Sequence, residues 1–586
     1  MSLAQKNTQG LDREQLKKVL AVARGDGIAD LLIKNVQILD LVNGEINHSA
    51  IVISGQTIAG VGLEYQDAKA TKVIDAQGLT AVPGFIDGHL HIESSMMNPF
   101  EFESMTLPLG TTTAVCDPHE ITNVLGEKGF SWFLRSSEMI HQNLFIQTSS
   151  CVPALPGFET NGGEFTLPQM EKFKAHKNVL GLAEMMNFPG VINGDDSVLD
   201  KLTAFSDLNL DGHCPMVRGK ALNAYIAAGI QNCHETITIE EGKEKLQKGM
   251  ALIIREGSVA KNLKTLAPLV TEFNSPQCFL CTDDRNPFEI LEEGHINYLV
   301  RKMINELKVP VHVAYRLSSY SAAKHFGLKR LGLVAPGKKA DLILLKNLEC
   351  VEIEKVFIGG VDVADLDLKS HIKDKLDKSV PPIENTIKRI PLSAKDFSYD
   401  LKKGKYNVIE IVPEEIITNH LVINFDGNSF DDQDILYMAN IERYGNELRP
   451  SLGLVKGLGL KSGAIASTIA HDSHNLMVIG KTIEDMVVAV NGLIESGGGL
   501  CVVNQGEIKS LLPLPIAGLI SLKSGSEIFF EIKQLKAEFI KLGITLNEPF
   551  IQMAFLALPV IPTLKLTDRG LFNVSSFSYI NLRAEN

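Results

Sequence analysis

The stretch AVPGFIDGHLHIESS, residues 81–95, decides how the rest of the chain is read. An apolar run ends there in two histidines separated by one residue. Along an extended strand, side chains at i and i+2 project from the same face. His89 and His91 therefore come together at the end of a strand, placed to grip one metal ion. The polar, turn-forming IESS that follows reads as a loop opening onto a pocket.

Outward from this stretch, apolar runs such as TTTAVCDP, VLGLAEMM, MALIIREG and CFLCTDD alternate with helical segments up to about residue 325. That alternation is the pattern of a parallel α/β domain. Ligand-capable residues recur at the C-terminal ends of the runs, where a (β/α)8 barrel collects its active site. The expected fold is α/β, with a TIM-like (β/α)8 barrel over residues 81–325. A small β-sandwich domain is expected from both of its flanks. Residues 29–80 supply short β runs broken by NG, SG and QG turns, and residues 326–380 return to β-type sequence through a PG turn before a linker. Residues 1–28 read as an N-terminal helical segment, and 381–586 as a separate C-terminal α/β or α+β domain.

A chain of 586 residues exceeds what one hydrophobic core supports, in keeping with several domains. Its net charge of -13 argues against nucleic-acid binding through a basic surface and leaves a small nucleobase substrate open. The longest apolar stretches, LLPLPIAGLI (511–520) and FIQMAFLALPVI (550–561), contain prolines. They fall short of the roughly 20 residues of a membrane span. The first residues lack the apolar core of a signal peptide. The eight cysteines show no repeating pattern, and Cys278 and Cys281 form a lone pair, so a four-thiolate zinc site is not expected. A cytoplasmic protein with reduced thiols and no membrane partner is the reading. Because two-fold assemblies prevail among oligomers, a homodimer or higher homo-oligomer is expected.

The strand-end candidates are His89 with His91, Glu184 in GLAEMMN, His213 in LDGHCP, His234 in NCHET and Asp283 in CTDD. Each has a bland reading. His213 by itself is an ordinary hydrogen-bonded histidine, and Asp283 with Asp284 caps the next helix. Recurrence at successive strand ends favours ligands instead. Four imidazoles and two carboxylates suffice for two adjacent divalent ions. His89, His91 and Asp283 are assigned to one ion and His213 and His234 to the other, with Glu184 bridging. His119 and Glu120, beside Asp117, are expected on a substrate-facing loop, unless Glu120 caps the following helix. His295, His312 and His325 read as structural. The crowded His471, Asp472, His474 and Asn475 read as a cap and turn, a lid over the barrel mouth, or a minor metal site. The glycine-rich NGLIESGGGLCVVNQGE (491–507) lacks the spacing of a phosphate cradle.

Taken together, PGFIDGHLHIESS, the three ligands of the middle strands, CTDDR (281–285) and LGLVAPGKKADLILL (331–345) resemble the amidohydrolase superfamily. CDPHEI (116–121), GHCP (212–215), NCHE (232–235), AHDSHN (470–475) and LPLPIAGLIS (512–521) resemble its bacterial adenine deaminase family. The resemblance runs from about residue 15 almost to the C-terminus. It implies hydrolytic deamination of a small purine base, adenine to hypoxanthine and ammonia, on two divalent metal ions. Mn2+ or Fe2+ is implied, with Zn2+ compatible with the donors. It also implies Glu184 in place of the carboxylated lysine of many members, and Asp283 as both ligand and proton carrier. Glu120 or His119 would then protonate ring N1. Hydrolysis of a cyclic amide, without ammonia release, is the competing activity. A non-catalytic metal-stabilised binding protein is the competing class.

Overall fold

The computed structural model describes residues 10–427, 434–446 and 449–584. Residues 1–9 of the expected N-terminal segment lie outside them. The helix Arg13–Ala23 opens the described chain, and Asp12 and Gln15 cap it reciprocally. Five strands follow: β1 (Ala29–Leu39), β2 (Ile46–Ser54), β3 (Thr57–Val61), β4 (Ala70–Asp75) and β5 (Thr80–Pro83).

An eight-strand parallel run comes next. Its members are β6 (Phe85–Leu90), β7 (Thr111–Cys116), β8 (Asn143–Thr148), β9 (Val179–Met185), β10 (Asn209–Gly212), β11 (Asn232–Cys233), β12 (Ala251–Arg255) and β13 (Cys278–Cys281). Strands β6–β10 form one sheet and β11–β13 another. Backbone hydrogen bonds link their edges at two seams. Gln231 N–H donates to Leu210 O at 3.1 Å beside β10. Past β6 and β13, Asp283 N–H donates to His89 O at 3.0 Å and His91 N–H to Asp283 O at 3.3 Å. The result is an α/β architecture on a curled parallel sheet. Strands such as VLGLAEM are buried at every position, because helices cover one face and the other turns inward, which is why they read as continuous apolar runs. Gly88 serves the curl: a Cβ there would stand 2.5 Å from Phe279 Cδ2 on β13.

The flanks meet in one further sheet. Strands β14 (Leu342–Asn347), β15 (Glu352–Ile358) and β16 (Val361–Asp362) extend the first five in the order β16-β15-β14-β5-β1-β2-β3, with β4 on β1. β5 lies antiparallel to β14 with Pro83 opposite Leu342, so the sheet reaches three residues past the expected boundary at residue 80. Leu31, Ile33, Ile51, Ile53, Leu342 and Leu344 pack against one another on its inner face.

The C-terminal region holds a mostly antiparallel eight-stranded sheet spanning Gly404–Ile411 to Glu507–Pro513. Its one parallel pairing among the described residues joins Gly404–Ile411 to Ser451–Lys456. Helices Ile483–Ser496 and Gly525–Lys541 pack on it. The glycines of 491–507 serve that packing: at Gly498, φ 119°, a Cβ would lie 2.6 Å from Gly518 Cα. This region is not separate in its packing. One continuous core runs from Leu90, Met97 and Phe100 of the parallel-sheet region to Ile516, Ile528 and Phe555. Ser521 N–H donates to Met96 O at 2.9 Å across the junction. The C-terminal region is thereby seated over the C-terminal ends of the parallel strands.

Candidate metal centre

Strand alternation puts His89 and His91 on one face of β6 and its extension, with their rings 4.9 Å apart. Glu184 ends β9 at their level, and His213, His234 and Asp283 sit just beyond β10, β11 and β13. All six are buried. The two oxygens of Glu184 divide the histidines between them. Oε1 lies 3.6 Å from His89 Nε2 and 3.3 Å from His91 Nε2. Oε2 lies 2.5 Å from His213 Nδ1 and 3.2 Å from His234 Nε2. Asp283 joins the first group, its Oδ1 being 3.7 Å from His89 Nε2 and 3.1 Å from His91 Nε2.

Burial alone would raise the pKa of Glu184. The surrounding imidazoles, His234 foremost, outweigh it and hold the carboxyl well below its usual range. Burial likewise opposes ionisation of Asp283, and the guanidinium of Arg255 overrides it. Arg255 Nη1 donates to Asp283 Oδ2 at 2.7 Å, leaving Oδ1 for the cluster, and also binds Glu235 through both Nη atoms. The backbone of Asp283 is left-handed, with φ 55°. A non-glycine residue held there stores strain that the surrounding hydrogen bonds must offset.

This donor set fits metal ions. Both ring nitrogens of His89, Nε2 of His213 and Nδ1 of His234 are buried without a hydrogen-bond partner. Ligand atoms of Glu184, His213 and His234 approach within 4.8 Å of one another, as do those of His89, His234 and Asp283. Four imidazoles and two carboxylates crowded into one buried space, with His89 bonded to neither carboxylate, are what cations would hold together.

Beside the cluster, the helix His119–Leu125 begins after β7. His119 Nδ1 is 3.1 Å from Asp117 Oδ2 and 3.3 Å from Glu184 Oε1. Glu120 does not cap that helix. Glu93, from the loop after β6, accepts from Ile121 N–H at 3.2 Å instead. Glu120 Oε1 lies 3.0 Å from Ser94 Oγ, whose single proton it shares with Asp284, and Oε2 has no hydrogen-bond partner among the described residues. Burial first, then the charges of Asp284 and Glu93, push the Glu120 carboxyl well above its usual range. Asp284 is bonded to Ser94 rather than capping a helix, a task taken by Asn286.

The structure keeps His295, His312 and His325 out of the cluster: His295 bonds Thr111, His312 bonds Glu272 and His325 bonds Asn232. Arg255, Glu235 and Ser94 were missed by sequence reasoning. Arg255 is the one with a signal, a basic residue closing the apolar run MALII.

Comparisons with known proteins give the family. Residues 80–363 match the amidohydrolase family, and residues 415–578 match the adenine deaminase C-terminal domain. The chain is 67% identical to the adenine deaminase of Bdellovibrio bacteriovorus over 585 residues, covering 100% of both chains. It is 58% identical to that of Edwardsiella ictaluri, over 99% of this chain and 98% of the relative. The chain belongs to the adenine deaminase family of amidohydrolases.

The C-terminal region of this family member closes the site from above. His471, Asp472, Phe555, Leu558 and Ile561 line the small chamber over Glu184 and Asp283. The 471–475 knot therefore lies over the cluster as a roof, and ligand atoms of His471, His119 and Glu120 come within 4.8 Å of one another, the grouping that the minor-metal-site alternative requires. Ser473 Oγ anchors it to Glu159 at 2.9 Å, and the His471 ring stacks on Phe555 at 4.5 Å. No described helix is long and apolar enough to cross a membrane.

Proposed function

We propose that this enzyme hydrolyses adenine to hypoxanthine and ammonia. What carries the reading is near-complete coverage by adenine deaminases together with a buried carboxylate whose two oxygens serve two sets of histidines. His89, His91 and Asp283 would hold one ion, His213 and His234 the other, and Glu184 would join them. Bound divalent ions supply a water acidic enough to give hydroxide near neutral pH.

The chain's own residues provide the proton path. Asp283, fixed by Arg255 through Oδ2, takes the proton of the attacking water at Oδ1 and delivers it to the exocyclic nitrogen, so that ammonia departs. Glu120, protonated and steadied by Ser94, donates to N1 as the ring loses aromaticity, and the proton left on the new C6 hydroxyl returns to it as the carbonyl forms. His119, held by Asp117, faces the same space as the second candidate for that donation. The roof excludes bulk water.

Closure of the eight parallel strands into a complete (β/α)8 barrel belongs to this reading, supported by the backbone hydrogen bonds at both seams. So do a folded-over, sandwich-like flanking sheet and a C-terminal domain from about residue 381. Manganese or iron is the metal proposed, on the nitrogen- and carboxylate-rich donors. A homo-oligomer in a reducing cytoplasm suits the free thiols. The test is metal-loaded protein incubated with adenine. Stoichiometric ammonia and hypoxanthine are expected, and turnover of cyclic amides without ammonia from adenine would refute the reading.

A further inference from the structure

Two buried carboxylate oxygens in the chamber have no hydrogen-bond partner among the described residues, Glu120 Oε2 and Asp472 Oδ2. A buried acceptor left unmatched is costly, and in a chamber of this kind a ligand supplies the missing donor. Glu120 is engaged by Ser94 at the edge of the cluster. Asp472 stands farther off, across the His119 ring. That ring has Nδ1 3.3 Å from Glu184 Oε1 and Nε2 3.8 Å from Asp472 Oδ1. One imidazole ring therefore separates Asp472 from the cluster. Its neighbours are pinned, His471 by stacking on Phe555 and Ser473 by its bond to Glu159.

We propose that Asp472 accepts the imidazole N–H of the purine and so makes the site select the free base over its nucleoside. The inference rests on the adenine reading above and proceeds by elimination. Adenine carries two kinds of N–H donor, the exocyclic amino group and the imidazole ring. The amino group has to lie over the cluster, where it leaves as ammonia. The imidazole edge, one ring further along the bicycle, is left for the acceptor on the far side of His119. A purine alkylated at that nitrogen has no proton to give, and a sugar there would meet Phe555, Leu558 and Ile561. The acceptor comes from the C-terminal region, so the parallel-sheet region by itself holds the reactive centre without this means of choosing among purines.

The test uses full-length, metal-loaded enzyme of verified metal content. Values of kcat and KM are measured for adenine and 9-methyladenine in the parent, Asp472→Asn and Asp472→Ala. The parent should favour adenine by at least about a hundredfold in kcat/KM, since a site built to bond an N–H rejects the analogue lacking it. Both variants should raise the adenine KM at least about tenfold, change kcat less, and shrink the preference by a similar factor. A merely structural role would lower kcat/KM equally for the two bases, and an unchanged ratio overturns the proposal. A parent that handles both bases within about threefold overturns it even where the variants fail to fold. Should the parent release no ammonia from adenine, the adenine reading itself fails. Calorimetric binding of the two bases to the loaded parent then judges the recognition alone, and equal affinities refute it.

Discussion

The floor and the roof of the chamber are built on opposite principles. In the floor, the charged atoms assigned to ligands have oppositely charged neighbours: Glu184 faces four of the imidazoles through two oxygens, and Arg255 ties down Asp283. In the roof, Asp472 Oδ2 and His474 Nε2 are left without hydrogen-bond partners, and apolar side chains fill much of the remaining surface. A crowded set of carboxylates and imidazoles, several ring nitrogens of which have no hydrogen-bond partner among the described residues, suits cations and tolerates little change. Unmatched acceptors beside apolar walls wait for a neutral ligand. On this reading chemistry and selectivity are divided between residues 89–283 and residues 471–561.

Breaking the floor should produce the largest effects. Glu184→Gln keeps the shape and loses the charge between two sets of ligands. Metal stoichiometry should fall by at least one ion, and activity by several orders of magnitude. A variant retaining two ions and near-parental turnover would show that another group joins them. Asp283→Asn retains an oxygen for the metal and loses the proton acceptor, so kcat should fall by about 10²- to 10⁴-fold at full metal content. A fall within tenfold would transfer the role to Glu120 or His119.

A gentler change sharpens the comparison. Arg255→Lys preserves the charge, but a single ammonium cannot span Glu235 and Asp283 as the planar guanidinium does. A loss of about 10- to 100-fold in kcat is expected, with adenine KM nearly unchanged. An effect confined to KM would place Arg255 in substrate binding instead.

The smallest effect is expected beneath the roof. Lys565 is buried and donates at 2.9 Å to both Phe555 O and Ile416 O, holding the segment that carries the apolar wall. Burial lowers its pKa to about 7. Its folded value thus lies below its unfolded one, and between them the unfolded chain binds more protons. This group's contribution should therefore rise with pH from about 7 to 10, by up to about 1.4 kcal/mol per unit. Lys565→Met should lack that slope, so its Tm relative to the parent should be most favourable at pH 6 and fall behind toward pH 9. A pH-independent difference would show that Lys565 is already charged in the folded protein over that range.

Much of the floor was legible because its determinants are local. The HLH spacing fixes two side chains on one strand face, and a carboxylate or imidazole closing a buried apolar run is costly without a partner. Glu184, His213, His234 and Asp283 each carry that mark, and the structure brings them together. Arg255 carries it too, and was overlooked because cations are not metal ligands. The alternatives for Glu120 and Asp284 were settled by other residues, one distant in sequence and one close by. Glu93 caps the helix at Ile121 and Asn286 caps the one at Glu289, freeing both acids for the chamber.

By itself the sequence determined the alternation of strands and helices and the strand ends that carry candidate ligands. These follow from periodicity and from the cost of burying charge, which act residue by residue. Only the tertiary structure decided which Glu184 oxygen faces which histidines, that Arg255 holds Asp283, and that His471 and Asp472 lie over the cluster. The physical reason is range. Seating the C-terminal region on the strand ends depends on a core shared between Leu90 and Phe555, and no local pattern encodes a contact across that separation.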